Sequence, residues 1–176
     1  KHSHPFFLII RTVPNFPKAD IDFYDITPLL WHIDELINEL LNALPVGMID
    51  EVECFATTEA RGFVIGSLLS GRTGKPLLLI RKAGKLPPPV HRQSSDLEYG
   101  TDTLEIKADA PKSKVLLVDD VLATGGTLKA SKLLCEQAGH DVLGALVLLD
   151  LPNLHGDIGM DTYAVMTDTE IGRAVQ

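Results

Sequence analysis

The chain has 176 residues, 45% hydrophobic and 23% charged, a balance that suits one soluble globular domain with a sizeable core. A formal net charge of −8 argues against a general nucleic-acid binder. No apolar run approaches a membrane span, and residues 6–10 are too short and badly placed for a signal peptide. The two cysteines, Cys54 and Cys135, lie in apolar stretches and read as buried free thiols without a disulfide framework. That favours a reducing compartment, so a cytoplasmic location is expected by elimination.

The first thirty residues are mixed, and Pro5, Pro14, Pro17 and Pro28 break any long element. A helix is then expected, because Leu36, Ile37, Leu40, Leu41 and Leu44 fall on one face. Strands follow at 52–56, 76–80, 115–118, 142–149 and 163–166. Helices are expected between them, over 63–70 after the Arg61-Gly62 turn and over 127–138, where Gly139 is the stop. Strands interleaved with helices imply an α/β domain with a mainly parallel central sheet flanked by helices. No repeat or linker divides it, so residues 1–176 read as one domain. Residues 82–109 break the alternation. With three consecutive prolines (Pro87, Pro88, Pro89) and a polar run after them, this stretch is too long for a simple βα connection. It reads as a mobile excursion with strand-like stems, placed where a lid would sit.

The most informative run is 115–127. An apolar strand ends in Asp119 and Asp120, and the small residues Ala123, Thr124, Gly125, Gly126 and Thr127 feed a helix. Such a turn points free N–H groups outward with the positive end of the helix dipole behind them, which suits a phosphate monoester. Two carboxylates beside it could accept hydrogen bonds from vicinal sugar hydroxyls. Rival phosphate motifs fail: no Lys follows the second Gly, and no G-x-G-x-x-G is present in the loop. The six His residues are scattered and the cysteines unpaired, so no zinc site is expected; Ser67 is not in a nucleophile elbow.

This run resembles the signature of the type I phosphoribosyltransferases. Four other segments are similar to the adenine phosphoribosyltransferase branch: Phe16-Pro17 followed by residues 21–28; Glu59-Ala60-Arg61-Gly62-Phe63; residues 81–87; and residues 95–100. The resemblance runs in order over most of the chain. It implies the type I phosphoribosyltransferase fold, with residues 1–30 contributing a small hood and about 82–109 a mobile catalytic loop. It also implies transfer of the 5-phosphoribosyl group from phosphoribosyl pyrophosphate to adenine, giving AMP and pyrophosphate. Mg2+ held mainly by substrate and water rather than by the protein, and a homodimer without nucleic-acid or membrane partners, follow from the same likeness.

The resemblance also distributes roles. Asp119 and Asp120 would hold the ribose hydroxyls near a cation-like ribosyl centre, and residues 123–127 would cradle the 5′-phosphate. Arg61, Arg81 and Lys85 would meet pyrophosphate, beside a Glu59–Ala60 peptide that is cis in the family. Phe23 would stack on the base, with the flanking backbone of Asp22 and Tyr24 and the region of Val121 lining the slot. Tyr24 stands where the branch commonly has Arg. Glu98, next to Tyr99 on the loop, would handle a proton of the purine ring. Two alternatives share the signature: a 6-oxopurine transferase, and a non-catalytic regulator that senses phosphoribosyl pyrophosphate.

Overall fold

Strands β3 (Cys54–Thr58), β7 (Lys114–Leu122) and β8 (Asp141–Asp150) are nearly continuous apolar runs because both of their faces are covered. The computed structural model describes residues 9–97 and 100–168. Its main sheet has seven strands in the order β5-β6-β4-β3-β7-β8-β9, where β4 is Leu77–Lys82, β5 Val90–Leu97, β6 Gly100–Lys107 and β9 Thr162–Thr167. The five strands from β4 to β9 in that order run parallel; β6 joins β4 antiparallel, and β5 joins β6 antiparallel.

Alternation along each strand splits the core in two. Phe55, Leu116, Val118, Leu146 and Leu148 face one way, against Leu36, Ile37 and Leu40 of α1 (Ile33–Asn42) and Ile65 and Leu69 of α3 (Arg61–Thr73). Ala56, Val115, Leu117, Ala145 and Val147 face the other way, against Leu128, Leu134 and Cys135 of α4 (Gly126–Gln137). A short helix, α2 (Met48–Glu51), leads into β3. Away from this sheet, β1 (Arg11–Val13) and β2 (Phe23–Asp25) form a small antiparallel pair. The fold is the α/β architecture expected from the sequence.

Three details differ from the sequence reading. Strand β7 continues through Asp119 and Asp120 to Leu122, so the carboxylates lie within the strand rather than after it. Most of 82–109 is a regular hairpin, paired from Val90↔Lys107 to Leu97↔Gly100. Leu104 and Ile106 are buried in the α4-side core, so the strand-like stem expected there is anchored by long-range packing and extends into a full strand. Finally, β1 and β2 have three residues each, too few to show a period.

Candidate active site

The connection from β3 to α3 brings a helix N-terminus onto the carboxylates. Gly62 makes this possible: a Cβ there would lie 2.5 Å from Thr57 Oγ1 and 3.0 Å from Asp119 Oδ1. Gly66, one turn on, would place its Cβ 2.9 Å from Thr57 Cγ2, so the glycine face of α3 lies directly on β3. Asp119 Oδ1 accepts the Asp120 N–H at 2.8 Å. Burial of its surroundings, then the neighbouring Asp120 charge, push the Asp119 carboxyl well above the ordinary carboxylate range. Asp120 is 4% exposed. Its Oδ2 lies 2.7 Å from Arg61 Nε, yet it is buried without an aligned hydrogen bond. Both carboxylates lie near the carboxyl end of a parallel strand, where ligands of α/β sheets bind, and Asp120 Oδ2 keeps unsatisfied acceptor capacity there.

Arg61 also reaches the small β1–β2 pair. Its guanidinium carbon sits 4.9 Å from the centroid of the Phe23 ring, a cation–π distance. Phe16 meets the same ring edge-on at 5.2 Å between centroids. Arg61 and Phe23 border a cavity of about 270 Å³ lined also by Pro17, Ile21, Asp22, Tyr24, Val121, Ala123, Leu151 and Leu154. Apolar walls with a few polar groups are the usual form of a small-ligand site. Burial, then the charges of Asp168 and Asp22, raise the Tyr24 hydroxyl above its ordinary range, so it stays protonated.

A third group lies towards β4. The Glu59–Ala60 peptide is cis. Glu59 Oε1 accepts the Lys82 N–H at 2.9 Å and lies 3.3 Å from Arg81 Nε. Arg81 also lies over Phe63, 5.7 Å from the ring centroid. Lys85 is exposed in the turn after β4, where its N–H donates to Lys82 O. That turn is pinned by the buried Glu105, which accepts the Gly84 N–H at 2.6 Å and pairs with Arg92 through its other oxygen. These hydrogen bonds, led by Arg92, hold the Glu105 carboxyl below its ordinary range.

The loop after β7 has the form a phosphate site requires. Gly125 is the N-cap of α4 with φ +87°, and a Cβ there would come within 2.7 Å of Ile158 Cγ2. The Lys129 N–H closes the first turn onto Gly125 O, and no side chain caps the helix. The N–H groups of Gly126, Thr127 and Leu128 precede that first bond and so have no intrahelical acceptor.

The Phosphoribosyl transferase domain family matches residues 22–175. An adenine phosphoribosyltransferase of Bifidobacterium animalis is 44% identical over 160 residues, covering 88% of this chain and 82% of that protein. One of Borreliella burgdorferi is 42% identical, covering 89% and 90%. The chain belongs to the phosphoribosyltransferase family, in its adenine branch. Solved structures agree. An adenine phosphoribosyltransferase of Thermoanaerobacter pseudethanolicus superposes with a TM-score of 0.83 at 39% identity, over 91% of this chain and 96% of that one. A Giardia lamblia enzyme of the branch, complexed with 9-deazaadenine, gives 0.81 at 32%, over 91% and 94%.

As a phosphoribosyltransferase-family chain, this molecule brings Asp22, Phe23, Tyr24, Arg61, Val121 and Ala123 together around one cavity, with Asp119 and Asp120 beneath Arg61. Glu59, Ala60, Arg81 and Lys85 form a separate edge, joined through the Glu59–Arg81 pair. Thr124, Gly125, Gly126 and Thr127 form the turn into α4. Glu98 and Tyr99 lie outside the described residues. Sequence reasoning missed Pro17, Ile21, Leu151 and Leu154 as cavity walls. The signal for the last two was available: they follow β8, the strand beside β7, and so emerge at the same end of the sheet. Among the described residues, no three His, Cys, Asp or Glu side chains form a metal cluster, and no helix is long and apolar enough to cross a membrane.

Proposed function

We propose that this chain transfers the 5-phosphoribosyl group of phosphoribosyl pyrophosphate to adenine, releasing AMP and pyrophosphate, as a purine-salvage enzyme. The observation that carries the reading is the meeting of an aromatic-walled cavity with two strand-end carboxylates, Asp120 buried and Asp119 partly so, through the single side chain of Arg61. A base, a ribose and a phosphate need those surfaces in that order. The names of relatives above 40% identity support adenine as the base.

In this reading the base lies against Phe23, and backbone groups of Asp22 and Tyr24 face its edge. Backbone carbonyls there select a 6-amino purine, which donates where a 6-oxo purine accepts. The bond from the anomeric carbon to pyrophosphate breaks as the bond to adenine N9 forms, through a ribosyl centre with cationic character. Asp119 and Asp120 hold the ribose hydroxyls and set negative charge beside that centre. The α4 turn holds the 5′-phosphate. Arg81 and Lys85 take up charge on the departing pyrophosphate, and Glu98 handles the purine proton. The Asp120 Oδ2 oxygen, buried without an aligned hydrogen bond, suits a hard cation that keeps most of its water. Mg2+ would be held mainly by substrate oxygens and water, with Asp119 and Asp120 near its hydration shell, and would supply neutralisation of the pyrophosphate charge.

The β1–β2 pair serves as the hood and the β5–β6 hairpin as the closing loop. A homodimer and a cytoplasmic location complete the reading; the buried free thiols of Cys54 and Cys135 suit the latter. The deciding experiment is steady-state turnover of phosphoribosyl pyrophosphate with adenine, hypoxanthine, guanine and xanthine, with and without Mg2+. Mg2+-dependent AMP formation is expected. Turnover of hypoxanthine or guanine without adenine overturns the assignment.

A further inference from the structure

The 3-10 turn Pro152–Leu154 follows β8, and its flanking Leu151 and its last residue Leu154 both line the base cavity. Leu151 is tied to β7, because its N–H donates to Leu122 O at 2.9 Å. Leu154, by contrast, is half-exposed. What holds the far end of this turn is His155. Its Nε2 lies 2.7 Å from Asp150 Oδ1, and its Nδ1 lies 2.7 Å from Gly156 O.

Both of those oxygens only accept. A neutral imidazole donates from one nitrogen, so it would set a lone pair against one of the two oxygens. Only the imidazolium satisfies both. The side chains are 12% and 19% exposed, so water does little to replace a lost bond. We propose that His155 is a positioning residue for the purine base: its imidazolium braces the turn that walls the cavity, and hold on the base weakens when the imidazole loses its proton. This rests on the adenine-transferase reading of the cavity.

The surrounding charges fit. Burial alone would lower the His155 pKa, but the Gly156 carbonyl and the Asp150 carboxylate on β8 outweigh it and raise the pKa above its ordinary 6.5. Lys129, on α4, acts weakly in the opposite direction. Asp157 is turned to its own loop, where it accepts the Gly159 N–H at 2.7 Å. The sign follows: with the folded pKa raised, the brace is fully present below pH 6.5 and is lost as pH rises through the raised value.

The test measures the adenine KM at saturating phosphoribosyl pyrophosphate from about pH 6 to about pH 9, a range that brackets histidine, in the wild type, His155→Gln and Asp150→Asn. In the wild type the adenine KM should rise about three- to tenfold across the titration, the equilibrium worth of one hydrogen bond. His155→Gln should show the raised KM throughout and lack this step, with the phosphoribosyl pyrophosphate KM unmoved and kcat changed less than KM. In parallel, NMR follows the imidazole resonance that His155→Gln removes. It should titrate above 6.5 in the wild type and fall back towards that value in Asp150→Asn. Superimposable KM profiles in wild type and His155→Gln, or a resonance titrating at or below 6.5, overturn the proposal. If adenine is not turned over at all, the transferase reading fails, while the NMR titration still decides whether the brace exists. If His155→Gln does not fold, Asp150→Asn supplies both comparisons.

Discussion

Replacing Asp119 by Asn separates function from stability. Two adjacent carboxylates at the end of β7 share one cation, Arg61, which lies at Asp120. At an effective dielectric constant of about 20, like charges about 4 Å apart repel by about 4 kcal/mol. The Arg61 charge and the remaining solvent access of Asp119 offset much of this. Asn keeps an oxygen for the Asp120 N–H, so that bond survives. We expect a net stabilisation of about 1 kcal/mol at neutral pH, or a Tm rise of about 2–4 °C for a chain of this size. Activity should move the other way. Losing a charge aimed at the ribosyl centre should cost about 100- to 1,000-fold in kcat, on the order of 2.7–4 kcal/mol. The pH dependence supplies a second check. A carboxyl whose folded pKa is raised keeps its proton in the native state while the unfolded chain ionises. Wild-type stability relative to Asp119→Asn should therefore fall as pH rises from 3.8 towards the raised value, and level off above it. Thermal unfolding and AMP formation are read on the same preparations. Near-wild-type turnover together with a lowered Tm would show that the pair is structural and refute the reasoning.

Gly125→Ala forces an L side chain into φ +87° and against Ile158. It should cost about 1–2 kcal/mol and raise the KM for phosphoribosyl pyrophosphate more than that for adenine; unchanged kinetics would remove the loop from phosphate binding. Phe23→Ala removes the aromatic wall of the cavity. Base stacking is worth about 1–3 kcal/mol, so the adenine KM should rise about 5- to 150-fold with little change in Tm, as Phe23 is only half-buried. Glu98→Gln keeps size and polarity but loses proton handling. Single-turnover rates should drop by about 100- to 10,000-fold with affinity for phosphoribosyl pyrophosphate preserved, and an unaltered rate would remove its catalytic role.

What the sequence by itself determined is what lies within a few residues along the chain. The run from Val115 to Thr127 was legible as a strand, paired carboxylates and a phosphate-type turn, because apolar runs, small loop residues and helix starts act locally. The helix faces of α1 and α4 and the interleaving of strands and helices were legible through periodicity for the same reason. The hairpin of β5 and β6 was legible only in its strand-like stems. Its polar residues describe a loop locally, and its full extent depends on pairing with β4 and packing under α4. Only the tertiary structure decided that Phe23 stands over Arg61, that Leu151 and Leu154 wall the cavity, and that Glu105 pins the turn carrying Lys85. Each of those contacts joins segments distant in the chain. Their geometry depends on sheet order and on how closely two elements can approach: a Cβ on Gly62 would lie 2.5 Å from Thr57 Oγ1, so only glycine lets α3 sit this close to β3. A local pattern names the chemistry a residue can perform, but only packing across the sheet sets which residues meet to perform it.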